Sequence, residues 1–394
     1  MKRAGKGVAL LLCLALLLTG CGAGDAQPSA PSSPTLSSEP TAAPETPPPV
    51  EPPAPTDGPL AQTLELWLAE DLPLCGALAE LAEDYAARRP ELELKTVVYA
   101  SETELLEALE RGRPDLLLCG EAAAEELLDE GRLGSVSLPA ETPLLFRGAP
   151  ACAAESLIPL CAEAAVLVLR EENLPLLENC DTLETLGGLA SDYARSKEKP
   201  FFSADSFAQL IACALAQKGS PFYTRRELDR GSEAYRGVYN LLADAAFEGG
   251  LVSLNEPVLS AVERGDLICG VCGSRMLAQA ESGDLAVLPL PPMAGCEAMT
   301  EARIWGLAVS AEADGERAAD FLSWLLAQDR TALAALEAGL VPAAKAESAE
   351  NSVFAGLALV ARSCRCFLPA PDSAYARGGV EFERSFRAAL ALLG

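Results

Sequence analysis

The chain of 394 residues contains no histidine. That excludes Ser-His and Cys-His nucleophilic pairs and any histidine-ligated metal, because each needs an imidazole to carry a proton or fill a coordination position. Aromatic residues are scarce, 5% of the chain with three tryptophans, which argues against the ring-lined groove that a long oligosaccharide would stack in. Basic residues are few as well: 30 Lys and Arg stand against 57 Asp and Glu, and none lies between Lys6 and Arg88. So acidic a chain is a poor partner for nucleic acid.

What is present at the start is ordered. Lys2, Arg3 and Lys6 precede an apolar run from Val8 to Leu18, too short for the roughly 20 residues that span a bilayer but suited to a signal peptide. "LTGC", residues 18 to 21, resembles the lipobox of bacterial lipoproteins, which implies cleavage after residue 20 and a diacylglycerol on the thiol of Cys21. Residues 27 to 60 then hold twelve prolines in 34 positions, with Ser, Thr, Ala and Glu making up most of the rest. Such a segment has too little apolar surface to fold and reads as a stalk, about 3.1 Å long per residue when extended. The mature chain keeps 27 basic and 57 acidic residues, a net charge of −30.

The remaining residues, 62 to 394, exceed the size at which one core keeps growing, so two lobes are expected. Strand and helix patterns alternate from residue 62. "TLELWLA" reads as a strand, Leu74, Leu78, Leu81 and Tyr85 form one helical stripe, and "ELELKTVVY" is a second strand. Ser101 and Glu104 give a capping box for the next helix, and "DLLLC" reads as a strand buried on both faces. This order implies α/β architecture with a parallel sheet, in which ligands bind beyond the carboxyl ends of the strands. Those ends fall near Ala69 to Asp71, Ala100 to Glu102, and Gly120 to Glu121.

Further pieces, in order and at matching spacing, resemble the extracellular solute-binding proteins of bacterial ABC importers, the class that includes the maltose-binding protein. "SLIPLCAEAAVLVLREENL" is similar to that family's strand crossing between lobes, and "AVERGDLICGVCGSRML" to the block that delivers a cleft loop. "LAVLPLPPMAG" is similar to its return crossing, "RIWGLAVS" to the strand that follows, and "RAADFLSWLLAQDRTALAALEAGLVPAAK" to its C-terminal helices. The resemblance implies a two-lobed, periplasmic-binding-protein-like (type II) fold with a hinge of crossing strands. It divides the chain into a signal peptide 1–20, a lipidated stalk 21–61 and a binding domain 62–394. Lobe 1 covers about 62–160 plus 292–330, and lobe 2 about 166–288 plus 331–394.

Cys269 and Cys272 have a Cys-x-x-Cys spacing, but three apart on a strand they point to opposite faces. A zinc site needs about four converging ligands, so the pair reads as two small core side chains. Of thirteen cysteines, Cys13 leaves with the signal and Cys21 is lipidated, leaving eleven, an odd number that implies at least one unpaired thiol in a monomer. "SKEK", residues 196 to 199, matches Ser-x-x-Lys without the motifs that accompany it in hydrolases. No enzyme activity, metal or cofactor is expected. The resemblance implies a monomer exported to the outer face of the cell membrane, holding a sugar or a small polar or anionic solute and meeting ABC permease subunits. A surface sensor with the same fold is the alternative. Expected ligand residues are Trp67, Glu70, Asp71, Ser101 and Glu121 in the first lobe, and Glu163 on the crossing strand. Phe202, Ser203, Ser274 and Arg275 follow from the second lobe, and Trp305 from the return crossing. Arg275 stands where the resembled block usually carries an aromatic residue, and its fork of donors suits a carboxylate, phosphate or several hydroxyls.

Overall fold

A computed structural model describes residues 62–147, 149–220, 223–224, 227–228, 230–345, 351–367 and 373–392. The signal peptide, Cys21 and the stalk lie outside the described residues. The first strands, β1 (Gln62–Ala69), β2 (Leu92–Tyr99) and β3 (Leu116–Gly120), pair in parallel, β1 in the middle. Their crossovers are α1 (Cys75–Arg88) and α2 (Glu102–Ala108), and α3 (Glu121–Asp129) follows. The α1 stripe buries Leu78, Leu81 and Tyr85, with the Tyr85 ring against Phe321 and Trp324 at 5.1 Å each. Ser101 caps α2 by accepting the Glu104 amide at 3.2 Å, while Glu104 accepts the Ala100 amide at 3.3 Å.

Two short helices, α4 (Leu144–Arg147) and α5 (Pro150–Ala153), lead into β4 (Leu157–Arg170). Next come α6 (Leu183–Lys197), β5 (Phe202–Ala204), α7 (Phe207–Gln217), the hairpin β6 (Tyr223–Thr224) and β7 (Glu227–Leu228), α8 (Glu233–Phe247), α9 (Val258–Glu263), β8 (Cys269–Gly273) and β9 (Leu285–Pro289). The return strand β10 (Met299–Val309) inserts antiparallel between β3 and β4. It begins four residues before "RIWGLAVS", because Met299 to Glu301 pair with β12 (Arg365–Phe367). The chain closes with α10 (Gly315–Leu326), α11 (Asp329–Glu337), β11 (Val341–Pro342), α12 (Ser352–Ser363) and α13 (Ser373–Ala391). The sheet has ten strands, seven along the path β2-β1-β3-β10-β4-β8-β5 and three off it, with β9 and β11 on β4 and β12 on β10.

The crossing strand β4 joins the two large apolar cores. Its even-numbered residues from Leu160 to Val168 belong to the first core, while Ala165, Leu167 and Leu169 belong to the second. Along its 14 residues only Glu163 and Arg170 escape burial. Near Cys161 a small third cluster gathers Ala335 and Leu340, with Leu74 and Trp305 against it. The odd-numbered face therefore passes from this cluster to the second core, and the packing breaks at Glu163.

Cys269 enters the second core and Cys272 the first, so the two thiols lie on opposite faces of the sheet. The eleven described cysteines are all free. Cys272→Ala is expected to lower stability by about 1 to 2 kcal/mol, as for loss of a small buried group, with no loss of bound zinc. Metal analysis and urea denaturation of the two proteins test this, and one zinc per chain that vanished in the variant would contradict it.

Candidate functional site

The second core presents the carboxyl ends of β5 and β8, and the chain uses the first of these to cap two helices. Asp205 accepts the Val258 amide at 2.8 Å at the start of α9, and Ser206 accepts the Gln209 amide at 3.1 Å at the start of α7. Burial raises the Asp205 carboxyl above its ordinary value. Beneath them Arg387 of α13 ties the floor together. It donates to the carbonyls of Asp205 (2.7 Å), Leu254 (3.0 Å) and Ala204 (3.3 Å), pairs with Glu383 at 2.6 Å, and covers the Phe207 ring.

Above this floor opens a cleft of about 770 Å³ whose other wall is the face of the crossing strands. Glu163 of β4 lies directly across from Arg303 of β10 in the strand register. Both line the cleft, with Glu301 beside them and with Asp205, Gln209 and Asn255 from the second lobe. Gly273 makes room for Glu163: a Cβ there would come 2.9 Å from its Oε1. No ion pair or side-chain hydrogen bond to Glu163 or Arg303 occurs among the described residues. The opposite charges sit side by side without meeting.

On the first-lobe side, Trp305 is half-buried and pairs in register with Cys161 on one strand and Gly120 on the other. A Cβ at Gly120 would touch both the Trp305 ring (3.7 Å) and Glu102 Oε1 (3.6 Å). Glu102 accepts the Gly120 amide at 2.7 Å, and Asp71 accepts the Glu102 amide at 2.8 Å, which fixes the ends of β1 and β3 to α2.

The expected residues thus separate. Glu163 lines the cleft, and Trp305, two positions from Arg303 on the same face of β10, stands farther along that face. Glu70 and Asp71 are exposed at the β1 end, and Ser101 caps α2. Trp67 turns into the first core, 4% exposed, with its indole N–H on Glu65 at 2.7 Å. Phe202 and Ser203 are buried, and the Ser203 hydroxyl donates to the Val252 carbonyl at 2.8 Å. Ser274 is buried too and accepts the Ala164 amide. Arg275 is exposed, does not line the cleft, and makes no ion pair among the described residues.

Glu121, at 3% exposure, is turned away from solvent to accept the Ala151 amide at 2.9 Å and the Cys152 thiol at 3.5 Å. Burial raises its carboxyl from 4.5 to about 7, against the lowering effect of those two donors. The expectation missed Arg303, Glu301 and Asp205. The first two were within reach of period-two reading: if Trp305 faces the cleft side of a strand, Arg303 and Glu301 share that side.

Two lobes joined by crossing strands, with a cleft at their strand ends, define the solute-binding-protein fold, and solved structures bear this out. An extracellular solute-binding protein family 1 from Alicyclobacillus acidocaldarius subsp. acidocaldarius DSM 446 superposes with a TM-score of 0.67 over 86% of this chain and 100% of that one, at 15% identity. The cyclic alpha-maltosyl-1,6-maltose binding protein from Arthrobacter globiformis gives 0.61 over 85% and 97%, at 16% identity. The galacto-N-biose-/lacto-N-biose I-binding protein of the ABC transporter from Bifidobacterium longum gives 0.53 over 86% and 95%, at 14% identity. At these identities the likeness establishes the fold. No family model matches the chain, and no curated protein sequence matches it.

Proposed function

We propose that this protein is a lipid-anchored extracellular solute-binding protein that closes two lobes on a small solute and delivers it to an ABC importer, without performing chemistry on it. The observation that carries the reading is the break at Glu163 in the middle of a crossing strand buried on either side of it, where a cleft of about 770 Å³ exposes Glu163 and Arg303 without a side-chain partner among the described residues. Ligand pockets of several hundred cubic ångströms with a few convergent polar groups are the usual form of such sites. The binding proteins among its structural neighbours support the same reading. The lobes divide close to 62–160 plus 292–330 and 166–288 plus 331–394, with α11 counted on the first side because it packs on α1 and α10. In this reading Glu163 and Arg303 meet the solute from the hinge, Trp305 stands farther along the same face of β10, and Glu70, Asp71 and Ser101 border the solute from the first lobe.

A thermal-shift screen against sugars, amino acids, peptides, polyamines and anions tests solute binding. A ligand at 100 times its Kd should add about 2.7 kcal/mol to the stability of the folded state. A flat response across all classes would remove the reading.

Export and anchoring follow from the basic start, the apolar run and "LTGC". Because a diacyl anchor holds firmly where one chain does not, the wild type should sediment with membranes. Cys21→Ala should be released or left unprocessed, and a processed variant still bound to membranes would refute the anchor.

A further inference from the structure

The charge around the cleft selects among solutes. Four carboxylates, Glu163, Asp205, Glu256 and Glu301, line it with two guanidinium groups, Arg303 and Arg387, a net charge of −2. Arg387 is committed to the floor, and Glu256 is paired with Arg264 at 2.6 Å. An anion would therefore enter against the local charge, and the anionic preference drawn from Arg275 loses its basis once that side chain lies outside the cleft. Among the described residues the cleft lining contains no aromatic ring either, so these residues offer no stacking face to a sugar.

What remains unused is the pair Glu163 and Arg303. Residues directly opposite on antiparallel strands hold their Cβ atoms about 5 Å apart, close enough for these side chains to join. They do not. Glu163 turns toward Gly273, which has no Cβ to obstruct it, and Arg303 extends into solvent. An acceptor and a donor of opposite charge, on facing strand positions and both without a side-chain partner among the described residues, match a ligand that carries complementary charges at its two ends.

We propose, building on the solute-binding reading above, that the solute is a small zwitterion of the amino-acid type, its ammonium on Glu163 and its carboxylate on Arg303. The amides of Gln209 and Asn255 and the thioether of Met276, which also line the cleft, are left to the rest of the solute. A diamine fits less well, because its second ammonium would approach Arg303.

Calorimetric titration of the full chain at pH 7 with the twenty free L-amino acids, maltose, citrate and spermidine tests the proposal, with each amino acid that binds compared to its N-acetyl and its amide derivatives. At least one amino acid should bind tenfold or more tightly than its N-acetyl derivative, which lacks the cation, and than its amide, which lacks the anion. Glu163→Gln should weaken that amino acid at least tenfold and abolish the discrimination against the N-acetyl form. Arg303→Gln should do the same for the amide, while both variants unfold near the wild-type temperature without ligand. Binding of maltose, citrate or spermidine with no amino acid bound would overturn the zwitterion and leave the solute-binding reading standing. Binding of an amino acid with unchanged affinity in both variants would also overturn it. Silence across every probe would defeat the solute-binding reading as well.

Discussion

Gly306→Ala should lower the stability of the folded domain by about 3 kcal/mol or more, the upper end of what overpacking costs. Gly306 sits at the irregularity in register between β10 and β4. A Cβ there would lie 2.2 Å from the Ile158 carbonyl oxygen and 2.9 Å from Pro159 Cα. Both are backbone atoms, so no side chain can rotate away, and relief requires the ladder itself to part. Because Trp305 is the adjacent residue, the same displacement would move its ring against Gly120. Gly188→Ala is the control. It lies exposed inside α6 with nothing within 4 Å of an added Cβ, and alanine there should add up to about 1 kcal/mol by helix propensity. Urea denaturation of the two variants beside the wild type makes the comparison. Equal midpoints for Gly306→Ala and wild type would mean that the crossing tolerates separation.

The second large effect is expected in pH dependence, from Glu121. Its carboxyl is raised from 4.5 to about 7, chiefly by burial, so between those values the folded state keeps a proton that the unfolded state has released. Stability must then fall as pH rises through this window and level off above it. Below about 4.5 the group is neutral in both states and contributes no slope. A displacement of this size corresponds to roughly 3 kcal/mol between pH 4.5 and 8. Glu121→Gln removes the titration and keeps an oxygen to accept the Ala151 amide. The variant should therefore match the wild type near pH 4.5 and exceed it by that amount at pH 8. Parallel curves for the two proteins across the range would show that Glu121 does not carry the proton.

Much of this architecture is legible in the sequence. The helical stripe of α1, the capping residues of α2 and the continuous apolar runs of β3 and β4 are local signals, each set by the period of its own element. The opposite orientations of Cys269 and Cys272 followed from the same pleat. The site was less legible, because the residues at a strand end are sorted into core, cap and cleft by neighbours distant in sequence. Trp67 lies on β1, a central strand buried on both faces, so alternation could not tell an inward ring from an outward one. Ser274 looked free until the Ala164 amide claimed it, 110 residues away. Phe202 and Ser203 were one strand-end too early, since β5 stays buried through Ala204 and the cleft begins at Asp205. Placing the start of β10 at Arg303 hid Glu301, because the pairing that extends this strand comes from residues 365 to 367.

The position of β10 between β3 and β4 also governs the order in which the chain can fold. Trp305 pairs with Cys161 and with Gly120, contacts that span 144 and 185 residues of sequence. Until residue 309 is available, the inner edges of β3 and β4 have no partner, and the first lobe cannot complete its sheet. Contacts this distant slow folding, because loop closure must precede the gain from pairing. During that interval two apolar strands expose open edges, a hazard for aggregation. The second core, by contrast, draws chiefly on one continuous stretch of chain, with α13 added at the end. It is therefore expected to gain protection from amide exchange early in refolding, and the amides of β3 and β4 to follow only when β10 docks between them.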